Sequence, residues 1–210
     1  MVDRCAIEGA TPCMAVDLDG TYVKGNTLKI YLACGMSYLR RTHRYKALGR
    51  LLFAVARRRL RLSDHKGMKS VILDVLSPYP EFLPEFAGKV TGRINPEVAA
   101  LIEEGRRKGW RILLATAAPS LYVSAIWPGD YVATEYSNGV DMVECRGEEK
   151  LRRVKEWMAG NGCTLHTVVT DHSDDLPLLA FNSTGTNILV NPSSKTLSHL
   201  KSSEVNYTMI

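Results

Sequence analysis

Short apolar runs alternate along this chain with longer stretches in which apolar residues recur at the spacing of an α-helix. The runs at 13–16, 110–115, 165–170 and 187–190 are short and continuous, which is typical of strands buried on both faces. A further run at 205–209 is a candidate fifth strand. Because helical stretches separate these runs, the pattern predicts an α/β fold with a doubly wound parallel sheet and helices on both faces.

Local signals predict how two of the connections are built. Asn95 followed by Pro96 is typical of a helix start, with Asn95 as the N-cap and proline at the first helical position. Residues 131–136 and 140–145 alternate in polarity around a Ser-Asn-Gly sequence. This alternation predicts a β-hairpin.

The interval between the first two buried strands is much longer than one crossover needs. Asp17 follows the first strand and Thr116 ends the second, 99 positions further on, whereas a strand–helix–strand unit takes about 30 residues or more. Most of this interval shows helical spacing. We therefore predict a small α-helical cap domain at 22–93, inserted into an α/β core formed by 1–21 and 94–210.

Positive charge is concentrated in the predicted cap. The chain has a formal net charge of +5, and between positions 37 and 69 there are eleven Lys or Arg residues and a single acid, Asp64. Three interpretations stay open: a solvated helical face, recruitment of an anionic partner or multiply charged substrate, and contact with an anionic membrane surface. Nucleic acid is not expected as a partner, because few aromatic residues are interleaved to stack on bases.

Composition narrows the class of protein. Hydrophobic residues make up 45% of the chain and charged residues 23%, as in ordinary soluble proteins. The five cysteines show no C-x-x-C spacing, which predicts reduced thiols and no zinc site. Residues 1–11 lack the apolar run of a signal peptide, and no stretch reaches the roughly 18–20 apolar residues of a membrane span. We therefore expect a soluble, cytoplasmic protein.

Asp17 and Asp19 are the first candidate catalytic residues. They follow a buried strand and are separated by one residue, so strand alternation points both side chains in the same direction. Gly20 permits a tight turn after them. One carboxylate can act there as a nucleophile and the other as general acid and base. A D-x-D pair alone is also compatible with a solvated acidic turn.

Later elements end in further candidate residues. The acids at 171, 174 and 175 follow the third buried run, and such clustered oxygen ligands suit Mg²⁺, although a capped helix N-terminus is an alternative. Thr116 ends the second strand, where a hydroxyl and backbone N–H groups can hold a phosphate. Lys150 lies in the first turn of a predicted helix, where the macrodipole disfavours a cation. Phosphate binding is therefore an alternative to a plain surface lysine.

Taken together, these residues resemble the motifs of the haloacid dehalogenase superfamily. The resemblance covers about residues 13–192 and is strongest to the phosphoserine-phosphatase-like branch, whose helical cap is inserted after the first motif. The four matching motifs are, in chain order, Asp17-Leu-Asp-Gly-Thr21, Leu113-Leu-Ala-Thr116, Gly147-Glu-Glu-Lys150 and Asp171-His-Ser-Asp-Asp175.

The resemblance implies a Rossmann-like core and a Mg²⁺-dependent phosphatase. Asp17 would form an aspartyl-phosphate, while Asp19 would protonate the leaving group and then activate water. The implied phosphate-binding residues are Thr116, Ala117, Lys150 and Gly20. The implied metal-site residues are Asp17, Asp19, Asp171 and Asp175, of which the last would support either the metal or Lys150. Whether Asp174 or Asp175 is the second acid of the last motif stays open.

Two departures from the branch bear on the substrate. Phosphoserine phosphatases typically carry a glutamate soon after the first motif and a glycine pair after the second. Here these stretches read Tyr22-Val-Lys-Gly-Asn26 and Thr116-Ala-Ala-Pro-Ser120. We therefore expect a small-molecule or lipid head-group phosphate ester, and not phosphoserine itself. The alternative function is a non-catalytic or signalling phospho-binding module that docks an anionic partner or membrane through its basic cap.

Overall fold

The computed structural model describes residues 10–136, 142–203 and 205–210. In this part of the chain six strands form one sheet in the order β3-β2-β1-β4-β5-β6, and every pairing is parallel. The predicted α/β fold with a parallel sheet is confirmed. The strands are β1 (Thr11–Val16), β2 (Arg111–Pro119), β3 (Asp130–Thr134), β4 (Cys163–Thr170), β5 (Thr186–Leu189) and β6 (Thr208–Met209).

Helices connect the strands in the pattern of a doubly wound fold. They are α1 (Thr27–Arg41), α2 (Tyr45–Arg59), α3 (His65–Leu76), α4 (Leu83–Thr91), α5 (Pro96–Arg107), α6 (Ser120–Val123), α7 (Glu148–Asn161), α8 (Leu176–Phe181) and α9 (Ser194–Lys201). Two short 3₁₀ helices, Pro80–Phe82 and Ser173–Asp175, precede α4 and α8. Within the described ranges, no helix combines the length and the apolar character that crossing a bilayer requires.

Side chains of β1 alternate between two apolar layers, one on each face of the sheet. Met14 and Val16 belong to one layer, and Cys13 and Ala15 belong to the other. The first layer also includes side chains of α1 and α5, and the second includes side chains of α7, α8 and α9. Because both faces are covered, β1 is continuously apolar from Cys13 to Val16, and each fully buried large side chain contributes about 1.5–3 kcal/mol.

Helices α1 to α4 occupy most of the long interval between β1 and β2. The ring of Tyr31 in α1 lies 5.0 Å from that of Phe82, 5.5 Å from Phe86 and 4.8 Å from Tyr122. Phe86 belongs to α4 and Tyr122 to α6, so this aromatic cluster joins α1 and α4 to α6. At Gly35 of α1 an added Cβ would lie 2.5 Å from Leu76 of α3, so these two helices need glycine where they meet.

The predicted start of α5 is confirmed, whereas the predicted hairpin is wrong in the part that can be tested. Asn95 caps α5 by accepting a hydrogen bond from the Glu97 N–H at 3.3 Å, and Pro96 is the first helical residue. Residues 130–134 form β3, but it pairs in parallel with β2, and residues 142–145 form no strand. The hairpin turn, 137–141, lies outside the described residues.

Side chains take the place of the expected hairpin ladder. The Cys145 N–H donates to Thr134 Oγ1 at 3.1 Å, and Arg153 donates to the carbonyls of Ala133 and Val143. Backbone groups that a hairpin would pair with one another are thus bound to a threonine and an arginine. Alternating polarity in this region reflects an edge strand followed by a loop held by α7.

Candidate active site

The loop after β1 places Asp17 and Asp19 at the carboxyl edge of the sheet. The Asp17 N–H extends the ladder by donating to the carbonyl of Val169 in β4 at 2.9 Å. The chain then turns sharply through Gly20, whose φ is +85°. Because β1 and β4 are neighbours, the residue that follows β4, Asp171, comes to lie beside this turn. The sequence-predicted convergence of these acids is therefore present.

Gly20 and Thr21 bring the two strand ends into close contact. A Cβ added to Gly20 would lie 2.1 Å from Asp171 Oδ2, so only glycine permits this approach. The hydroxyl of Thr21 lies 3.4 Å from Asp17 Oδ2 and 3.3 Å from Asp171 Oδ1, and it is fully buried. One hydroxyl thus contacts both carboxylates.

Lys150 forms the charged centre of the site. It lies in the first turn of α7 with only 3% of its surface exposed. Its Nζ is 2.9 Å from Asp17 Oδ1 and 2.7 and 2.9 Å from the two oxygens of Asp175. Burial alone would lower the pKa of Lys150, but the two carboxylates outweigh burial and raise it. A cation at the unfavourable end of α7 is therefore held by two ion pairs.

The structure distinguishes the two acids that the last motif left open. Asp175 is buried and accepts hydrogen bonds from Lys150 and from the hydroxyl of Thr170, the latter at 2.7 Å. Asp174 instead pairs with Arg146 and with His172 Nδ1 at the surface. Of the two alternatives for Asp175, these contacts favour the support of Lys150 over direct metal binding.

Thr116 and Ala117 lie in the C-terminal half of β2, beside the site. Thr116 is buried, and its Oγ1 accepts a hydrogen bond from the Ala118 N–H at 3.0 Å. The Ala117 carbonyl accepts from Lys69 Nζ and from Thr134 Oγ1, both at 2.7 Å. Both residues line the same cavity, of about 240 Å³, as Asp17, Asp19 and Lys150.

The structure does not bring Gly20 together with the other predicted phosphate-binding residues. Its N–H donates to the carbonyls of Val23 and Gly25, at 2.9 and 3.0 Å, and so serves the loop itself. Gly20 lines a neighbouring cavity and not the one that contains Thr116 and Lys150. Its contribution to the site is the close approach of Asp171.

Burial dominates the electrostatics of the carboxylates. It raises the pKa of Asp17 to about 7, with Asp175 and Asp171 adding to the rise and Lys150 opposing it. Burial also raises the pKa values of Asp19 and Asp171. The cavity thus gathers more carboxylates than its lysines neutralise, which is the arrangement that a divalent cation would balance.

The donor set at this edge fits Mg²⁺. In the described part of the chain, no three Asp, Glu, His or Cys side chains form a metal-binding group by themselves. Asp17 and Asp171 converge on Thr21, and Mg²⁺ is commonly bound by one or two carboxylates together with waters and phosphate oxygens. A hard cation held by Asp17 and Asp171 would take its remaining ligands from water and from phosphate oxygens of the substrate.

Lys69 and Glu144 are two of the cavity-lining side chains that were not predicted from the sequence. Lys69 of α3 is 3% exposed, and its Nζ lies 2.7 Å from Glu144 Oε1 as well as 2.7 Å from the Ala117 carbonyl. Both Lys69 and Glu144 line the cavity. A signal existed, because Lys69 shares the apolar face of α3 with Ile72 and Leu76 at i+3 and i+7.

The family assignment follows from a match over most of the chain. Residues 15–180 match the model of the family described as haloacid dehalogenase-like hydrolase. The chain belongs to this family. The predicted family resemblance is thereby confirmed. No curated protein matches the chain significantly.

Several solved structures share the fold of this chain. A protein of unknown function from Bordetella pertussis Tohama I is 20% identical, with a TM-score of 0.72 over 94% of this chain and 98% of that one. A probable phosphoserine phosphatase from Vibrio cholerae is 12% identical, with a TM-score of 0.62 over 90% of this chain and 58% of that one. A phospho-aspartyl intermediate analogue of phosphoserine phosphatase is 12% identical, with a TM-score of 0.59 over 96% and 93%. At these identities the likeness shows the fold.

Proposed function

We propose that this hydrolase is a Mg²⁺-dependent phosphomonoesterase that acts through an aspartyl-phosphate on Asp17. One observation carries the proposal: Lys150 Nζ contacts Asp17 Oδ1 at 2.9 Å and also forms an ion pair with Asp175. A buried lysine beside a buried carboxylate neutralises an incoming phosphoryl group and leaves the carboxylate as the attacking group. The fold shared with phosphoserine phosphatases supports the same reaction class.

Asp17 attacks the phosphorus in the first step. A new bond forms between a carboxylate oxygen of Asp17 and phosphorus, and the bond from phosphorus to the ester oxygen breaks. Lys150 and the end of β2 at Thr116 and Ala117 hold the phosphoryl oxygens during this step. When bound, Mg²⁺ supplies charge neutralisation between Asp17, Asp171 and the phosphate, which also lowers the pKa of Asp17.

Asp19 moves the proton in both steps. Its Oδ1 accepts a hydrogen bond from the Thr27 N–H at the start of α1, at 2.6 Å, which fixes the orientation of the carboxyl. We infer that Oδ2 carries the proton that the leaving oxygen takes. The same oxygen then accepts a proton from water, whose oxygen attacks phosphorus, so that inorganic phosphate and Asp17 are released.

The helices between β1 and β2 supply part of the substrate site, which is why we propose that residues 22–93 act as a cap. Asn26, His65 and Lys69 from this interval line the cavity that contains Asp17. The Lys69 bonds to Glu144 and to the Ala117 carbonyl join α3 to the end of β2. A cavity of about 240 Å³ with this polar lining suits a small phosphate ester.

Hydrolysis of p-nitrophenyl phosphate by the purified protein tests the proposal. We expect turnover with Mg²⁺, its loss on addition of a chelator, and a loss of about 10⁴-fold or more in Asp17→Asn. Asp130→Asn is the matched control, because Asp130 is an exposed acid that pairs with Arg111 outside the cavity. Its activity should equal that of the wild type.

Acid-quenched mass spectrometry of Asp19→Asn tests the separate roles proposed for Asp17 as nucleophile and Asp19 as general acid and base. This variant should accumulate a phosphoryl group on Asp17, because water activation is impaired more than attack. Phosphorylation of the wild type without turnover on a broad panel of phosphate esters would instead support a signalling module. Absence of both turnover and phosphoenzyme would sink the catalytic proposal.

A further inference from the structure

The outer face of α2 carries a second apolar stripe, which is exposed in the described structure. Leu51 and Ala54 bury the inner face. On the opposite side, the apolar or small residues recur at i, i+4, i+7, i+8 and i+11, which is one stripe of a helix. They are Tyr45, Gly49, Leu52, Phe53 and Ala56, and all are exposed.

The exposure of this stripe is large for aromatic and aliphatic side chains. Tyr45 is 60% exposed, Leu52 51% and Phe53 65%. Leu60 and Leu62, in the turn after α2, continue it. Five of the nine large hydrophobic side chains that are exposed in the described ranges thus lie within 18 consecutive positions, which marks a contact surface and not scattered exposure.

Basic side chains flank the stripe on both edges. Lys46, Arg50 and Arg57 recur at i, i+4 and i+11 along one edge, and Arg59 follows Leu52 by seven positions on the other. Arg57 lies 5.8 Å over the ring of Phe53 and donates to the Leu62 carbonyl at 3.3 Å. Its guanidinium therefore lies against the apolar stripe, over the ring of Phe53, at the edge of the outer face.

We propose that the outer face of α2 and the turn after it bind the surface of a bilayer that contains anionic lipids. A helix with an apolar stripe between basic edges lies in the headgroup plane, where the apolar side chains enter the acyl boundary and the cations meet lipid phosphates. This surface is separate from the reaction of Asp17, so the inference does not rest on the proposed phosphatase activity.

The positive charge of this face favours an anionic bilayer over a second copy of the chain as the binding partner. From position 20 to position 63 the sequence contains no Asp or Glu. Two copies meeting through this face would therefore place the basic edges of one α2 against those of the other. Like charges brought together in this way disfavour the dimer, whereas an anionic surface compensates all of them.

A groove beside the stripe is lined by two of these arginines and can bind a lipid headgroup. It has a volume of about 440 Å³ and lies between α2 and α3. Arg50 and Arg57 lie on its lining together with Phe53, Met68 and Val71, so cationic and apolar groups face the same space. A lipid phosphate with the first part of an acyl chain matches this combination.

Vesicle flotation of the full chain tests the inference. We expect binding to phosphatidylcholine vesicles that contain phosphatidylglycerol, weak binding to pure phosphatidylcholine, and release as salt is raised. The double variants L52S/F53S and R50Q/R57Q should each lose about tenfold in the partition coefficient, since each removes two contacts with the interface. As controls, Lys195→Gln with Lys201→Gln removes two exposed positive charges outside α2, and Phe181→Ser removes an exposed aromatic side chain there; both variants should bind as the wild type does.

Three results would overturn the inference. One is equal binding to anionic and neutral vesicles, and another is unchanged binding in both α2 double variants. The third is a wild-type dimer in size-exclusion chromatography that L52S/F53S converts to monomer, because a second copy would then cover the face. Thermal melting of each variant in the absence of lipid shows that a loss of binding does not come from unfolding.

Discussion

The candidate active site and helix α2 are both rich in charge, but they hold that charge in opposite ways. At the site, Lys150 and Asp175 are almost completely buried and each charge has a partner within 3 Å. Along α2 the arginines are exposed, and they belong to a segment without acids. A buried ion is tolerated only when it is paired, whereas an exposed ion is stabilised by water.

Because of this difference, the charges of the two regions have different consequences. The buried ion pair holds Asp17 within hydrogen-bond distance of Lys150, as the proposed role of Asp17 as a nucleophile requires. Exposed cations of α2 contribute little to stability, so they are available for an external anionic surface. Substitutions of the same chemical kind should therefore have large effects at the site and small ones on α2.

The largest difference in stability is expected between a variant that loses Lys150 at the site and one that loses an exposed arginine of α2. Lys150→Met leaves Asp17 and Asp175 buried without their cation and should destabilise the protein by roughly 3–5 kcal/mol. The exposed Arg58 of α2 is the matched control, and Arg58→Met should change stability by at most about 0.5 kcal/mol. Urea unfolding with a chelator present measures both, and a loss below about 1 kcal/mol for Lys150→Met would contradict the contrast.

Two glycines offer the next contrast. Gly20→Ala meets Asp171 Oδ2 at 2.1 Å and a φ of +85°, and should cost roughly 3 kcal/mol. Gly49 lies inside α2, where an added Cβ meets nothing within 4 Å, so Gly49→Ala should stabilise by about 0.5–1 kcal/mol. Thermal melting compares the two variants.

Gly20→Ala should also raise the Mg²⁺ concentration needed for half-maximal hydrolysis, because it displaces Asp171. Gly49→Ala should leave this concentration unchanged. An unchanged Mg²⁺ requirement in Gly20→Ala would show that Asp171 does not contact the metal.

A smaller effect is expected where α3 meets the site. Lys69→Met removes the bonds to Glu144 and to the Ala117 carbonyl and should cost roughly 2 kcal/mol near neutral pH. Burial would raise the pKa of Glu144, but Lys69 outweighs it and lowers the pKa below 4.5. The carboxylate is thus the charged form that the native state favours.

The pH dependence of this variant follows from that direction. A lowered native pKa gives stability that is present above the unfolded value and is lost as pH falls through the native value. The difference in unfolding free energy between wild type and Lys69→Met should therefore narrow below about pH 4.5. It should not vanish, because the bond to the Ala117 carbonyl persists. A difference that stays constant with pH would show that the ion pair contributes nothing.

The sequence predicted the parts of the fold that depend on local pattern. Apolar runs located β1, β2, β4 and β5 because strands buried on both faces are continuously apolar. The hairpin prediction failed because alternation along β3 describes an edge strand equally well, and only tertiary contacts decide its partner.

At the candidate site, the motifs and their spacing predicted which residues lie near one another, but they did not predict the contacts that those residues make. Strand order explains why Asp17 and Asp171 meet, since β1 and β4 are adjacent. Turn geometry within a few residues decides the details. It directs the Gly20 N–H to carbonyls of its own loop, and it places Asp175 against Lys150 and Asp174 at the surface. Lys69 was hidden because its partners lie 48 and 75 positions away.

The smallest effect is expected for an apolar side chain on the outer face of α2. Leu52→Ala should change the unfolding free energy by at most about 0.5 kcal/mol, because Leu52 is half exposed. Its neighbour Leu51 is fully buried, so Leu51→Ala should cost roughly 2–5 kcal/mol. Urea unfolding of the two variants compares adjacent leucines on opposite faces of one helix. A cost above about 1 kcal/mol for Leu52→Ala would show that the outer stripe is already covered in solution, and the face would then not be open to a bilayer.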